Sequence, residues 1–220
     1  MVLAAQHIPR VQESMTEKTT PTSPNSTPNH ALDPAADALP AHDAAPALIL
    51  PLRDADATAR LGAALAKWVG PGDVIALWGD LGAGKTSFAR ALIQAKLAAH
   101  GHSEDVPSPT FTLVQTYETP DVEIWHVDLY RITHADEVVE LGVEDAMVDS
   151  LVLIEWPGRM GEDLPADRLD VFFDQPNISP STQASETTSD LPGRVAKLWI
   201  GPKGHTRWAP RLEKLATFSV

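Results

Sequence analysis

The sequence predicts an α/β protein: a sheet with a mostly parallel core, flanked by helices and completed by a C-terminal β-hairpin. Three observations predict it. The apolar run Asp73 to Trp78 meets a glycine-rich turn, and a helical pattern follows at once. Short apolar strands then alternate with helical segments, the arrangement of a sheet covered by helices. Finally, Leu169 to Phe173 and Val195 to Ile200 read as paired strands separated by a long polar stretch.

In chain order, residues 1–46 are rich in Pro, Thr, Ser, Asn, Ala and Asp with no sustained apolar period, and are expected to be a disordered N-terminal extension. Met15 is an alternative start. The folded domain is expected over 47–220. Leu48-Ile49-Leu50 reads as a strand. Asp54 is placed to cap a helix running to about Trp68, with Leu61, Leu65 and Trp68 on one face. Asp73 to Trp78 suits a buried parallel strand. Ser87 to Ala99 carries Phe88, Leu92, Ile93 and Leu97 at helical spacing. A loop from Gly101 to Pro109 leads to strands around Phe111 to Tyr117 and Val122 to Val127. Ala135 to Leu141 and Val143 to Val148 look like short helices, and Leu151 to Ile154 is an apolar strand. Residues 175–192 form a polar insert expected to be mobile within the hairpin. His205 to Thr217 closes the chain as a helix.

The stretch Gly79-Asp80-Leu81-Gly82-Ala83-Gly84-Lys85-Thr86 fits the phosphate-loop (Walker A) pattern of glycine, four residues, Gly-Lys and Ser or Thr. Glycines let backbone N–H groups approach phosphate oxygens with no Cβ in the way. Lys85 would reach the outer phosphates, and the Thr86 hydroxyl would bind Mg²⁺. Ser87 opens the following helix, whose positive N-terminal end favours the same anion. The pattern also occurs by chance in surface turns. Its setting between a strand and a helix argues for the phosphate loop, and so for a P-loop NTPase-like sheet.

Such a loop needs a carboxylate at the exit of a neighbouring strand, near the metal. Leu151-Val152-Leu153-Ile154-Glu155 and Ile124-Trp125-His126-Val127-Asp128 each end in one. The more fully apolar strand should be central, which assigns Glu155 to the Mg²⁺ shell. Asp128 is assigned to water orientation or general-base work, since hydrolysis demands positioning and charge neutralisation. Exchange of the two roles stays open. Ser108, Thr110 and Thr112 have hydroxyls that could act as in a switch loop; equally, Pro107 and Pro109 could simply set a turn there. Arg131 is a candidate to neutralise phosphate or to form a structural ion pair. His126 has no second ligand at metal spacing and reads as a core or hydrogen-bonding residue.

Acidic residues outnumber basic ones 30 to 17 in the 220-residue chain, for a net charge of −13. That surface repels nucleic acid and anionic membrane. There is no cysteine, which excludes disulfides, thiol catalysis and Cys-based zinc sites. No apolar stretch approaches the ~20 residues of a membrane span. The N-terminus lacks the charged start and long apolar core of a signal peptide. A cytoplasmic protein is expected.

The phosphate loop, then Ser-Pro-Thr-Phe-Thr-Leu-Val (108–114), His-Val-Asp-Leu-Tyr-Arg (126–131) and Glu-Trp-Pro (155–157), in this order, resemble the TsaE (YjeE) ATPases. The resemblance covers about 48 to 173 well and the C-terminal hairpin more loosely. It implies a small ATPase, weak alone, that supports formation of N6-threonylcarbamoyladenosine beside the anticodon of tRNA. It implies docking on the TsaB–TsaD pair, with tRNA met only through that complex and the transfer itself done elsewhere. By position, Lys85 and Thr86 match the family's phosphate-loop Lys and Mg²⁺-binding Thr. Glu155 matches the second metal-linked residue and Asp128 the acid needed for activity. Gly193-Arg194 resembles a hairpin pair that approaches the nucleotide, and Leu52 to Ala57 falls where the family lines the base. Nothing carries over to the N-terminal extension or the insert.

A small-molecule kinase would need a second substrate pocket and an Arg-rich lid, and the insert holds no Arg or Lys. A GTPase would carry an Asn-Lys-x-Asp motif, which is missing. A nucleotide-bound switch without turnover is the third alternative.

Overall fold

The computed structural model describes residues 45–174 and 194–217. The expected N-terminal extension, apart from its last two residues, and the whole hairpin insert lie outside the described residues.

Seven strands form one sheet in the order β1-β7-β6-β2-β5-β4-β3. They are β1 (Leu48–Leu52), β2 (Val74–Trp78), β3 (Val114–Glu118), β4 (Glu123–Asp128), β5 (Leu151–Glu155), β6 (Leu169–Asp174) and β7 (Arg194–Ile200). The pairs β6–β2, β2–β5 and β5–β4 are parallel. The pairs β1–β7, β6–β7 and β3–β4 are antiparallel. Every residue of β2 and β5 is buried, which is why their sequences are continuous apolar runs rather than alternating ones. The expected hairpin is present, with Leu169 opposite Ile200 and Asp174 opposite Val195.

Successive side chains of a strand point to opposite faces. Ile75 and Leu77 of β2, Leu151 and Leu153 of β5, and Ile124 of β4 pack with α1 (Ala55–Leu65), α2 (Lys85–Ala99) and α5 (His205–Ala216). Val74, Val127, Val152 and Ile154 face the other way, against α3 (Ala135–Glu140), α4 (Val143–Ala146) and a 3-10 stretch, Pro157–Asp163. The same alternation puts Glu155 on the α2 face after Leu153, and Asp128 there after Ile124 and His126. Both acids therefore emerge on the side that holds the phosphate-loop helix.

Asp54 caps α1, its Oδ1 accepting from the Ala57 N–H at 2.6 Å. Helix α2 begins at Lys85, two residues earlier than its apolar period indicates, so Lys85 and Thr86 sit in its first turn. Strand β3 begins at Val114 rather than near Phe111. Leu113 adopts φ 66° and its N–H bonds back to the Pro109 carbonyl, a turn that no strand can include. Phe111 is left 85% exposed.

Candidate functional site

The site is built where β2, β4 and β5 end. Gly79 to Gly84 link β2 to α2. Gly79 has φ 121°, and a Cβ there would lie 2.5 Å from the Phe173 carbonyl oxygen, so the loop can pass β6 only with glycine. Gly84 precedes the helix with φ 114°. The Lys85 ammonium donates to the Gly79 and Asp80 carbonyls at 2.7 and 2.9 Å and lies 3.8 Å from the centre of the Trp156 ring. These contacts fold the lysine over its own loop, with the charge at the loop's mouth.

Asp128 and Glu155 are register partners across parallel strands β4 and β5. Both are buried. Their hydrogen bonds differ. The Thr86 hydroxyl donates to Glu155 Oε2 at 2.8 Å, and His126 Nε2 lies 2.9 Å from Glu155 Oε1. Asp128 Oδ2 accepts from the Thr110 hydroxyl at 2.6 Å, and its Oδ1 accepts from the Tyr130 N–H at 3.0 Å. Ser108 Oγ lies 2.8 Å from Thr110 Oγ1, so two hydroxyls of the candidate switch loop chain onto Asp128. Thr112 instead turns back to the Pro109 carbonyl.

These groups surround a cavity of about 180 Å³ lined by Leu81, Gly82, Gly84, Lys85, Thr86, Ser87, Thr110, Asp128, Tyr130, Glu155 and Trp156. Asp80 and Gly79 contribute carbonyls to Lys85 rather than cavity wall. Ala83 is buried beneath the loop. The Arg194 guanidinium stands over Gly84, NH1 lying 3.5 Å from where a Cβ would be. Gly193 lies outside the described residues. Arg131 is exposed and rests on the Phe111 ring, 5.4 Å from its centre. Within the stretch Leu52 to Ala57, Leu52 ends β1 and Asp54 caps α1; Thr58, just beyond, packs its methyl group beside Gly84.

Two wall residues were not singled out from the sequence. Trp156 adopts φ 59°, a left-handed turn that swings its ring back towards Lys85. Tyr130 packs against that ring, centroids 5.0 Å apart. Each directly follows or closely trails an acid of the site, which was the available signal: an aromatic residue next to a strand-exit carboxylate.

The donor set suits a hard divalent cation. Thr86 Oγ1 and Glu155 Oε2 are oxygens, adjacent, and at the mouth of a loop shaped for phosphate. A cradle of glycine backbone with one ammonium at its rim, two carboxylates facing it and a helix N-terminus behind it can hold a polyphosphate and orient a nucleophile towards it.

Fold and site together define a P-loop NTPase-like α/β protein. Residues 52–183, well over half the chain, match the TsaE family, described as threonylcarbamoyl adenosine biosynthesis protein TsaE, and the chain belongs to that family. It is 44% identical over 108 residues to a tRNA threonylcarbamoyladenosine biosynthesis protein TsaE of Rickettsia felis, covering 49% of this chain and 61% of that one. It is 39% identical over 120 residues to the protein of the same description in Rickettsia bellii, covering 54% and 81%. With that of Bacillus subtilis it shares 38% over 118 residues, covering 53% and 69%. The chain thus spans about three fifths of the Rickettsia felis relative's length. The crystal structure of Bacillus subtilis YdiB has the same fold, with a TM-score of 0.56, 24% identity, and coverage of 77% of this chain and 93% of that one.

Proposed function

We propose that the protein binds and hydrolyses ATP, and that this activity serves the threonylcarbamoyl modification of adenosine next to the anticodon of tRNA. The observation that carries the proposal is the convergence on one cavity of the Gly79–Thr86 loop and of two carboxylates from adjacent strands. The names of the relatives support the tRNA-modification role.

Backbone N–H groups of Leu81 to Thr86, with Lys85 and Arg194, would bind the phosphates. Thr86 and Glu155 would hold Mg²⁺, which when bound neutralises phosphate charge. Asp128 would orient the attacking water and accept its proton, while Thr110 and Ser108 hold Asp128. Tyr130, Trp156 and Leu81 line the cavity, with the Trp156 ring against Lys85. ATP is favoured over GTP because the sequence lacks the Asn-Lys-x-Asp guanine-reading motif. Family resemblance supports a role beside TsaB and TsaD rather than transfer of the carbamoyl group by this chain, with tRNA met through that complex. It supports weak turnover by the chain alone and work in the cytoplasm. Among the described residues no helix is long and apolar enough to cross a membrane.

The test is ATP turnover by the purified chain, alone and with TsaB and TsaD. Slow hydrolysis that rises when the pair is added is expected. Tight ATP binding with no turnover in either sample would favour a nucleotide-bound switch, and no binding would end the proposal.

A further inference from the structure

His126 is fully buried in the middle of β4, on the face shared with Asp128 and Glu155. Its Cα is paired with Leu153, so it reaches Glu155 diagonally, two residues along the neighbouring strand. Nε2 lies 2.9 Å from Glu155 Oε1, while Nδ1 is buried with no hydrogen-bond partner. These two facts point to Nε2 as the donor. A neutral ring with its proton on Nδ1 would leave a buried N–H unsatisfied and set a bare Nε2 against the carboxylate. With the proton on Nε2, the ring donates to a carboxylate oxygen and only a lone pair goes unmatched.

We propose that His126 is a positioning residue. It donates from Nε2 to Oε1 of Glu155 and locks that carboxylate with Oε2 turned to Thr86. The inference rests on the proposed Mg²⁺–ATP site and adds to it the group that orients the metal-facing acid from behind. Glu155 is held from both ends: its inner oxygen by an imidazole, its outer one by the hydroxyl that opens α2. Without the imidazole the buried carboxylate loses one of its two donors and is free to rotate, which costs affinity for a cation in front of it.

The test compares wild type, His126→Leu, which removes the donor, and His126→Gln, whose amide nitrogen can replace Nε2. Mn²⁺ binding in the presence of a non-hydrolysable ATP analogue is read by electron paramagnetic resonance. Binding of the analogue without metal is read separately. His126→Leu should weaken Mn²⁺ binding about tenfold to a hundredfold. His126→Gln should restore most of the loss, and metal-free analogue binding should be alike in all three. Wild-type Mn²⁺ affinity in His126→Leu would overturn the inference. A wild type that binds no analogue at all would instead sink the proposed function. The imidazole ¹⁵N signals of the wild-type protein give a measure that does not depend on either variant folding or on nucleotide. A protonated Nε2 is expected, and a bare Nε2 would overturn the inference.

Discussion

Asp128 and Glu155 stand side by side at the ends of β4 and β5, yet each is bound by a threonine from a different part of the chain. Thr110 of the loop before β3 holds Asp128 at 2.6 Å, and Thr86 of the phosphate-loop helix holds Glu155 at 2.8 Å. One carboxylate is thus tied to the phosphate-loop helix and the other to the loop before β3. This division matches a metal-facing role for Glu155 and a water-facing role for Asp128.

Asp128→Asn should keep ATP binding within about twofold and lower turnover by roughly 10²–10⁴, the range for loss of a general base. Steady-state hydrolysis and calorimetry on the same preparation check it. Turnover close to wild type would move the base role to another residue.

Lys85→Ala removes the ammonium at the loop's mouth. Charge-assisted hydrogen bonds contribute about 1.5–3 kcal/mol, so the dissociation constant for ATP should rise roughly ten- to a hundredfold. Calorimetric titration measures this, and an unaltered constant would contradict it.

Arg194→Ala withdraws the second cation near Gly84. Its partly exposed position makes its contribution smaller, about 1 kcal/mol, or roughly a fivefold weaker ATP affinity. A loss as large as that of Lys85→Ala would mean that Arg194 closes fully over the phosphates.

The loop's glycines separate steric from conformational need. In Gly79→Ala the new methyl meets the Phe173 carbonyl at a positive φ, whereas in Gly82→Ala it meets nothing within 4 Å at φ 77°. Gly79→Ala should lower stability by more than the roughly 1–2 kcal/mol of left-handed strain alone, and Gly82→Ala by about that strain. Urea denaturation compares them; equal losses would show that β6 yields to the methyl group.

Much of this was legible in the chain. Strands β2 and β5 are continuous apolar runs because both their faces are covered, and the phosphate loop carries its own pattern. The acids were legible as strand exits. The start of β3 was not, because Leu113 turns left-handed in a stretch whose apolar and β-branched residues read as a strand. The 3-10 stretch Pro157–Asp163 has no counterpart in the sequence reading, because Pro157, Gly158 and Gly161 interrupt any helical period. The His126–Glu155 contact depends on the register of β4 against β5, and the Tyr130–Trp156 packing on a backbone turn at Trp156. Neither is encoded in local spacing.

The most direct measurement is a crystal structure of the chain grown with Mg²⁺ and a non-hydrolysable ATP analogue. The account predicts the triphosphate within hydrogen-bond distance, about 2.7–3.2 Å, of backbone N–H groups between Leu81 and Thr86, with the metal between Thr86 and Glu155. An analogue bound elsewhere, or that loop still closed on Lys85 with no phosphate in it, would contradict the account.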